Sequence, residues 1–499
     1  MPPNSSRFKN YISDLNEAKE YFLSNISELQ SPVKIYTHID ADGLSAGAIL
    51  GKTLFRENIP FQIRVLKQLE LDKILKISIE SKLNNNFIIF SDFGSGQYLE
   101  LEKKIDNPFL ILDHHLPQSI RNKDQKKEIQ EIHNKTYKWH NNPYFYEYNG
   151  SSEISASGMC YFFSKCLNEE NIDLSKIALI GANGDVQNQG KNKSFTGLNS
   201  VIVKDAIECD LIEIIDDINL STIKPLNQAI AYSSDLNLPG LSKDANKTLK
   251  FLKRLGILIE KVDGTIKTLS NLNQEEKQKL TSALIEYASI KSNIEPSEII
   301  NKLIIKRYLL KNEIMDSDLH DINEFSSLLN ACGRTSNASI GIAIAMGDRK
   351  KAYTQAREKL KDYKKMLINA LSWIKEGDII KESEYIQYYF GEDKIPENII
   401  GTITSMLIYD DSEFIKKNKP LFGYAKRIEE EMYKISARAH KSIIDKGVNL
   451  SEAIREALKL SDLEVLGGGH PPAAGTKVPT DKIKKFLENC NKVIGTQLP

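Results

Sequence analysis

The sequence predicts an α/β fold with a parallel sheet in its first part, a helical region in the middle and a smaller α/β domain at its end. Short apolar runs alternate with amphipathic segments up to about residue 200, and acidic or histidine clusters follow several of these runs. Alternation of strands and helices at this spacing is typical of a parallel sheet covered by helices. A chain of 499 residues is long for one core and predicts two or three domains.

The first part of the chain contains the elements of this sheet. Residues 8–30 carry apolar side chains at helical spacing and predict an amphipathic helix that ends before Ser31-Pro32. A second helix is predicted over residues 44–55, and a third begins near Ser155. The charge-rich residues 121–131 predict a solvated loop or a short helix. Strands are predicted at 33–36, 63–66, 87–91 and 109–112.

The rest of the chain is predicted to be helical before it returns to α/β. From about residue 201 the pattern becomes mainly helical, with a turn at Leu238-Pro239-Gly240. Residues 245–315 are rich in lysine, glutamate and leucine and predict a helical insert without identifiable chemistry. A second α/β domain is predicted from a helix at 351–376, strands near 385–390, 421–427 and 434–437, and a final helix at about 480–491.

Acidic and histidine side chains follow four apolar runs in the first part of the chain. Each run is predicted to be a strand, and active sites of parallel sheets form where the carboxyl ends of the strands converge. The clusters therefore predict one pocket that holds several carboxylates and three imidazoles. Its members are His38, Asp40 and Asp42 after 33–36, Asp92 after 87–90, Asp113, His114 and His115 after 109–112, and Asp185 after 178–184.

So many like charges in one pocket require cations. Carboxylates close together raise each other's pKa strongly, and divalent metal ions remove that penalty and use the same groups as ligands. Carboxylate oxygen mixed with imidazole nitrogen suits Mn²⁺ first and Mg²⁺ second, whereas the absence of clustered cysteines argues against a thiolate zinc site. Asp92, alone at its strand end, is the predicted bridge between two ions about 3.5–4 Å apart. The alternative, an ordinary turn or N-cap aspartate, explains any one cluster but not four together.

Composition argues against several classes of protein. The formal net charge of +0 provides no global basic field of the kind that marks many DNA-binding proteins, so any grip on nucleic acid must be local. The five cysteines form no CxxC pair and predict reduced thiols in a cytoplasmic protein. The N-terminus lacks an apolar signal core, and no apolar run approaches the roughly 20 residues of a membrane span. We therefore expect a soluble protein.

The four clusters also carry a family resemblance. Motifs I to IV of the DHH phosphoesterase superfamily are similar to His38-x-Asp40-x-Asp42-Gly43, Asp92, Asp113-His114-His115 and Gly184-Asp185. The glycine-rich signature of the DHHA1 domain resembles Gly467-Gly468-Gly469-His470-Pro471-Pro472-Ala473-Ala474-Gly475. A segment of RecJ-type exonucleases is similar to Asn330-Ala331-Cys332-Gly333-Arg334. The resemblance runs from about residue 33 to the C-terminus and is closest in style to archaeal RecJ-like nucleases.

This resemblance implies a division of the chain into four segments. The tract from Glu324 to Ala345 resembles the long connecting helix of RecJ-type enzymes. The expected segments are an N-terminal helix at 1–32, a DHH catalytic domain at 33–200, a helical connecting region at 201–345 with the insert near 245–315, and a DHHA1 substrate-binding domain at 346–499.

The resemblance implies roles for the predicted metal ligands. Asp40 would serve one ion and Asp42 the other, and Asp185 would complete the coordination of one of them. His114 resembles a metal ligand. His38 is a further predicted ligand, although RecJ-type bacterial enzymes often carry aspartate at that place. The alternatives for His38 are support of a ligand and a hydrogen bond to the backbone.

Catalysis is expected from His115 and Asp113. His115 resembles the group that contacts the scissile phosphate, and Asp113 is expected to orient the imidazoles. The two ions would lower the pKa of a water for in-line attack, so no covalent intermediate is expected. Ser155 and Ser157 precede an apolar helix, where N-capping is the first interpretation and a phosphate contact is the alternative.

The second domain is expected to hold the substrate. Successive glycines would present backbone N–H groups to phosphate oxygens, and a guanidinium group binds phosphate bidentately. The predicted substrate-binding residues are Arg334, Arg438, Gly467, Gly468, Gly469 and His470.

The function implied by the resemblance is that of a two-metal, single-strand-specific exonuclease of DNA replication or repair that releases mononucleotides. Its partners would be single-stranded nucleic acid and replicative-helicase-associated proteins. One alternative is a nano-RNase or cyclic-dinucleotide phosphodiesterase, although such enzymes are usually shorter. Another is a helicase-associated scaffold with residual nuclease activity, although such relatives commonly lose metal ligands that this chain keeps. The pyrophosphatase branch of the superfamily leaves Arg334 without a role.

Overall fold

The computed structural model describes residues 6–27, 31–118, 140–233, 238–261, 264–292, 295–410, 414–427, 431–465 and 467–498. The chain forms two compact units, residues 1–357 and residues 358–499. The predicted charged segment at 121–131 lies outside the described residues. The four-segment division implied by the resemblance remains a prediction.

A five-stranded parallel sheet forms the centre of the first unit, as the sequence predicts. The strand order is β2-β1-β3-β4-β5, and every neighbouring pair is parallel. The central strands are buried along nearly their whole length because helices cover both faces of the sheet. The strands are β1 (Val33–His38), β2 (Phe61–Leu66), β3 (Ile88–Ser91), β4 (Phe109–Leu112) and β5 (His140–Asn141).

Seven helices in the described part of the chain accompany this sheet. The predicted helix at 8–30 ends earlier, at Ile26, and buries Tyr11, Leu15, Ala18 and Phe22. The predicted helix at 44–55 begins earlier, because the carboxylate of Asp40 caps it and accepts a hydrogen bond from Gly43 N at 3.0 Å. The helices are α1 (Ser6–Ile26), α2 (Ala41–Arg56), α3 (Leu71–Asn84), α4 (Tyr98–Lys104), α5 (Ala156–Leu167), α6 (Ser175–Gly184) and α7 (Asn199–Glu208).

One predicted strand is wrong. Residues 178–184 belong to helix α6, and Asp185 is the C-cap of that helix rather than the end of a strand. A short apolar run cannot distinguish a strand from a buried helix, and residues from 177 to 182 are all buried here. The carboxylate nevertheless lies at the predicted pocket, because α6 packs against α2 and α5.

A two-stranded antiparallel sheet brackets the predicted insert. Strands β6 (Ile212–Ile218) and β7 (Ile304–Leu310) pair with each other, so the predicted helical segment at 245–315 ends in a strand. The helices between them share a hydrophobic core of their own. They are α8 (Leu226–Ala231), α9 (Ala245–Arg254), α10 (Gln274–Ser292) and α11 (Pro296–Leu303).

The tract at 324–345 is not one long helix. It forms α12 (Ile322–Arg334) and α13 (Ala338–Met346), and Ser336, with a φ of 60°, lies in the break between them. The long helix of this region comes next, as α14 (Lys351–Gly377), and agrees with the predicted helix at 351–376.

The second unit is a second α/β domain, as predicted. Its six-stranded sheet has the order β12-β13-β11-β10-β9-β8, in which only β9 and β10 are parallel among the described strands. The strands are β8 (Lys381–Glu382), β9 (Gln387–Phe390), β10 (Leu421–Lys426), β11 (Met432–Arg438), β12 (Gly468–His470) and β13 (Ala473–Pro479). The helices are α15 (Ile400–Ile408), α16 (Lys441–Ile444), α17 (Leu450–Leu460) and α18 (Ile483–Gln497).

The glycine-rich segment at 467–475, whose successive glycines were expected to present N–H groups to phosphate, is paired with itself. Gly468 pairs with Gly475 and His470 pairs with Ala473, so the segment is a β-hairpin that turns at the two prolines. Part of its backbone hydrogen bonding is therefore used within the hairpin. Among the described residues, no helix has the length and apolar character that crossing a membrane requires.

Candidate metal centre

The first cluster lies where β1 passes into α2. His38 is the last residue of β1, Asp40 is the N-cap of α2, and Asp42 belongs to the first turn of that helix. His38 Nδ1 lies 2.8 Å from Asp40 Oδ2. The three side chains are thus presented by a strand end and a helical turn, and not by one extended strand exit.

Asp42 is held by the N-terminus of α5. Its two carboxylate oxygens accept hydrogen bonds from Ala156 N at 2.8 Å and Ser157 N at 3.0 Å. The predicted N-cap at Ser155 is confirmed, since its hydroxyl accepts from Gly158 N at 3.3 Å. The unpaired N–H groups of a helix N-terminus stabilise an anion. The anion at this helix is a carboxylate of the site, which the sequence alone did not indicate.

Asp92 lies between the other clusters. It follows β3, is 3 % exposed and has a φ of 64°, in the left-handed region that aspartate adopts more readily than most residues. Its Oδ1 lies 3.2 Å from His114 Nε2 and its Oδ2 lies 3.4 Å from His38 Nδ1. Oδ2 has no hydrogen-bond partner among the described residues, although it is buried. A buried carboxylate oxygen without such a partner fits a metal ligand.

The Asp113-His114-His115 triplet follows β4, and its side chains have different partners. Asp113 Oδ2 accepts a hydrogen bond from Ser95 N at 2.9 Å, and its Oδ1 lies 2.8 Å from His115 Nδ1. His114 Nδ1 lies 2.6 Å from Gly150 O, so this nitrogen donates and Nε2 faces the carboxylates. Asp113 can therefore orient His115, and Gly150 can orient His114.

Asp185 reaches the pocket from the C-terminal end of α6. Its Oδ2 lies 3.8 Å from His114 Nδ1 and accepts a hydrogen bond from Gln187 Nε2 at 2.9 Å. The close approach of α6 depends on Gly181, where a Cβ atom would lie 2.7 Å from Asp42 Oδ1 and 2.2 Å from Ser157 Oγ.

The candidate ligand atoms fall into overlapping groups, in each of which all atoms lie within 4.8 Å of one another. Asp92 shares one group with His38 and Asp40 and another with His114, and His114 in turn belongs to the group of Asp42 and Asp185, so Asp92 lies where it could bridge. The groups are His38, Asp40 and Asp92; Asp42, His114 and Asp185; and Asp92, Asp113, His114 and His115.

The electrostatics of the pocket call for cations. Burial first and the charge of Asp92 second raise the pKa of Asp42 to about 7, against the lowering effect of His114. Burial also raises the pKa of Asp185. Burial disfavours the charged form of His38, but Asp40 and Asp92 outweigh it and raise the pKa of His38 to about 10. All three shifts favour the protonated forms of these groups, and a divalent ion bound beside the carboxylates would favour their charged forms instead.

The segment that resembles RecJ-type exonucleases packs against the first cluster. Asn330 Oδ1 accepts a hydrogen bond from Ala41 N at 2.9 Å, and a Cβ atom on Gly333 would lie 1.6 Å from Ile39 O. Burial opposes the charged form of Asp40, but His38 and Arg334 together hold the pKa of Asp40 well below its usual range. Arg334 thus lies close to the candidate ligands.

Residues outside the motifs hold the triplet in place. Asn142 Nδ2 donates to Asp113 O at 2.7 Å and to His115 O at 2.9 Å. Ser95 Oγ lies 2.8 Å from both Asn142 Nδ2 and His140 Nε2. His140 and Asn142 lie far from the motifs in sequence, so sequence reasoning missed them, whereas Ser95 follows Asp92 by only three residues. The buried Gln187 was also missed, although its place two residues after Asp185 was a usable signal.

The remaining predicted substrate residues belong to the second unit. Arg438 ends β11, and its Nε donates to Ser405 Oγ of α15 at 2.7 Å. His470 lies in β12 and is partly exposed. The others are Gly467, Gly468 and Gly469, of which Gly468 and Gly469 lie in the same strand.

Two family models match the chain. Residues 221–304 match the DHH-CID domain, and residues 385–496 match the DHHA1 domain. The first match coincides with the insert between β6 and β7. The second covers the sheet of the second unit from β9 onward.

Curated proteins and solved structures add to this. An uncharacterized protein of Methanocaldococcus jannaschii is 34% identical over 469 residues, which are 93% of this chain and 94% of that protein. CDC45 from Entamoeba histolytica has a TM-score of 0.61 at 12% identity, over 98% of this chain and 99% of that one. RecJ in complex with Mn²⁺ from Thermus thermophilus has a TM-score of 0.55 at 14% identity, over 97% of this chain. This chain spans only about half of that RecJ, 55% of its length.

The structural likenesses show the fold, which resembles the folds of RecJ and CDC45. The two matched domains follow each other in the expected order, and the relative from Methanocaldococcus jannaschii matches nearly end to end. The chain is therefore a RecJ-like member of the DHH/DHHA1 superfamily.

Proposed function

We propose that this protein hydrolyses phosphodiester bonds with two divalent metal ions and acts as a single-strand-specific exonuclease that resembles RecJ. The observation that carries the proposal is the place of Asp92, which shares one ligand group with His38 and Asp40 and another with His114, itself a member of the group with Asp42 and Asp185. One buried oxygen of Asp92 has no hydrogen-bond partner among the described residues. A carboxylate between two groups is the arrangement that a two-metal site requires.

The ligand set divides into two halves. His38, Asp40 and Asp92 would hold one ion, and Asp42, His114 and Asp185 would hold the other, with Asp92 between them. Divalent ions bound there would polarise the phosphoryl group and make a water nucleophilic near neutral pH. Burial raises the pKa values of Asp42 and Asp185 most, and the charge of Asp92 raises them further, so a cation beside them would stabilise their charged forms.

His115 is the proposed contact to the scissile phosphate. Its side chain is 40% exposed, whereas those of Asp113 and His114 are almost fully buried. Asp113 lies 2.8 Å from His115 Nδ1 and fixes the ring, so that Nε2 is the nitrogen that can meet a phosphate oxygen. Covalent catalysis is not part of the proposal, since metal-assisted attack of water needs no protein nucleophile.

Mn²⁺ is the proposed metal, with Mg²⁺ as the alternative. Mixed carboxylate and imidazole ligands suit Mn²⁺ better than Mg²⁺. RecJ from Thermus thermophilus has been solved in complex with Mn²⁺ and with Mg²⁺, at TM-scores of 0.55 and 0.50 to this chain.

Substrate binding is proposed for both units. Arg334 lies near Asp40 and can clamp a phosphate beside the ions, since its charge already acts on that carboxylate. In the second unit, Arg438, His470 and the glycine-rich hairpin are the proposed contacts to the rest of the strand. The products would be mononucleotides, and replicative-helicase-associated proteins are the proposed partners.

A scaffold role is the second candidate. CDC45 from Entamoeba histolytica matches this chain over nearly its whole length, 99%. The retained set of candidate ligands favours hydrolysis, because a scaffold has no use for buried carboxylates that repel one another. Phosphodiester hydrolysis and binding of protein partners are compatible in one chain.

End-labelled DNA and RNA single strands of two to twenty nucleotides test the proposal. The full chain is incubated with Mn²⁺, Mg²⁺ or a chelator, with Asp92→Asn as the inactive control. We expect release of mononucleotides with Mn²⁺, none with chelator, and affinity that rises from the dinucleotide to about ten nucleotides. Each phosphate contact to a single strand should add about −0.7 to the slope of log affinity against log salt.

Two outcomes would contradict the proposal. If no strand were hydrolysed in a metal-dependent way, the scaffold role would be favoured over hydrolysis. Equal efficiency on the dinucleotide and the ten-mer, with a flat response to salt, would indicate a dinucleotide phosphodiesterase instead of an exonuclease.

A further inference from the structure

Gln187 occupies the space behind the second half of the candidate metal site. It follows Asp185 by two residues, on the turn after α6, and is fully buried. We infer that Gln187 is a positioning residue that fixes Asp185 and His114 as ligands of the second ion. The inference rests on the proposed two-metal function and assigns a role to a residue outside the DHH motifs.

The amide of Gln187 connects both ligands. Its Nε2 donates to Asp185 Oδ2 at 2.9 Å and to Gly150 O at 2.8 Å, which uses both of its protons, and it also lies 3.3 Å from His114 Nδ1. Gly150 O also accepts from His114 Nδ1 at 2.6 Å. One side chain thus holds the carboxylate directly and the imidazole through a shared carbonyl.

Asn199 sets the direction of this amide. Asn199 lies in the first turn of α7, is fully buried, and donates from Nδ2 to Gln187 Oε1 at 2.8 Å. If the Gln187 amide were flipped, its oxygen would lie against the Asp185 carboxylate and the Gly150 carbonyl. Three hydrogen-bond acceptors would then meet without a donor between them. Asn199 therefore keeps the donor end of Gln187 on the ligand side.

The arrangement decides which nitrogen of His114 faces the ions. With Nδ1 donating to Gly150 O, Nε2 lies 3.2 Å from Asp92 Oδ1 and 3.8 Å from Asp42 Oδ2. Asp185 Oδ2 lies 3.8 Å from Nδ1 of the same ring. Without the Gln187 amide, Asp185 could turn and compete with Gly150 O for the Nδ1 proton. Gln187 would thus keep Asp185 available for the metal.

The backbone before Gln187 is an independent sign of this role. Val186 has a φ of 57° and is 66% exposed. A β-branched residue in the left-handed region is a backbone outlier, and such strain persists where a functional geometry requires it. The strained residue reverses the chain, and Gln187 N then donates to Ala182 O at 3.0 Å. The turn directs the side chain of Gln187 back into the pocket.

The test is a titration of Mn²⁺ into full-length protein without nucleic acid, followed by electron paramagnetic resonance. The variants are Gln187→Met, which keeps the size of the side chain, and Asn199→Leu. Gln189→Met is the matched control, because Gln189 is an exposed glutamine of the same loop that bonds to Val186 O and Ser151 O.

We expect Gln187→Met to weaken one of the two Mn²⁺ sites by about 10–100-fold, the effect typical of residues that hold metal ligands. The other site should stay within about threefold of its wild-type affinity, and Gln189→Met should change neither. Asn199→Leu should weaken the same site less. The double variant should bind like Gln187→Met alone, because Asn199 acts through Gln187 and coupled residues are not additive.

A role in folding alone would give a different result. If Gln187→Met lowered the melting temperature of the metal-free protein but left both Mn²⁺ sites unchanged, the inference would be overturned. If Gln187→Met failed to fold, unchanged Mn²⁺ affinities in Asn199→Leu would overturn it equally. Failure of the proposed function is recognised separately, as a wild-type protein that binds two Mn²⁺ ions and hydrolyses no strand.

Discussion

Replacement of Asp92 by asparagine should abolish hydrolysis without unfolding the protein. The change keeps the shape of the side chain and removes the one charge shared between two ligand groups. Both ions should bind more weakly, each by more than the roughly 10–100-fold that loss of a supporting residue causes. Metal-dependent hydrolysis should fall below detection, because neither ion keeps its full coordination.

The metal-free Asp92→Asn protein should be as stable as the wild type or more stable. His114 Nε2 lies 3.2 Å from Asp92 Oδ1 and 3.8 Å from Asp42 Oδ2, which keeps the two carboxylate oxygens within about 7 Å of each other. Two unit charges at that separation repel by roughly 2 kcal/mol at an effective dielectric constant of about 20. The lost contacts of Asp92 with His38 and His114 offset part of this gain.

The assay combines hydrolysis of a labelled single strand, Mn²⁺ titration and thermal unfolding in the presence of a chelator. Asp106→Asn is the matched control, since Asp106 is an exposed aspartate whose partner is the equally exposed Lys82. The control should leave all three readouts unchanged. Full Mn²⁺-dependent activity in Asp92→Asn, or a large loss of metal-free stability, would refute the two-metal assignment.

Three further changes probe the surroundings of the site. Arg334→Ala should raise the Michaelis constant for single strands about tenfold or more, because loss of a charge-assisted contact costs about 1.5–3 kcal/mol, and steady-state kinetics measures this. Gly333→Ala should lower the melting temperature, since its Cβ would lie 1.6 Å from Ile39 O and overpacking costs about 1–3 kcal/mol; thermal unfolding with Gly377→Ala as comparison checks it. Val186→Asn should stabilise the metal-free protein by about 1 kcal/mol, because asparagine tolerates the left-handed φ of 57° better than valine, and chemical denaturation reports the change. An unaltered Michaelis constant in Arg334→Ala would contradict the first expectation, and an unaltered melting temperature in Gly333→Ala the second. A lower stability of Val186→Asn would contradict the third.

Much of the fold could be predicted because its signals are local. The runs that form β1, β3 and β4 are continuous apolar segments with polar ends, which is how strands buried on both faces are recognised. The convergence of His38, Asp92 and His114 followed from the rule that parallel strands end at one edge. The same rule predicts Asp185 at this edge, but its premise is wrong there, because α6 is a helix and not a strand. The contacts of α6 with α2 and α5 bring the Asp185 carboxylate to the pocket.

The remainder of the site could not be predicted because it depends on tertiary contacts. Asp42 is held by backbone N–H groups of α5, more than a hundred residues away in sequence, and such donors leave no mark in a side-chain pattern. Asn142 and Asn199 are ordinary amides until the fold places them beside the triplet and Gln187. The hairpin at 467–475 could not be predicted either, because glycine indicates a permissive backbone and does not show whether strands pair there.

Anomalous diffraction from Mn²⁺-soaked crystals can locate the ions and show whether they share Asp92. We predict two manganese peaks about 3.5–4 Å apart. One should lie among His38, Asp40 and Asp92 and the other among Asp42, His114 and Asp185, with the Asp92 carboxylate in contact with both. A single peak, or two peaks that do not share Asp92, would contradict the two-metal site on which the proposed hydrolysis depends.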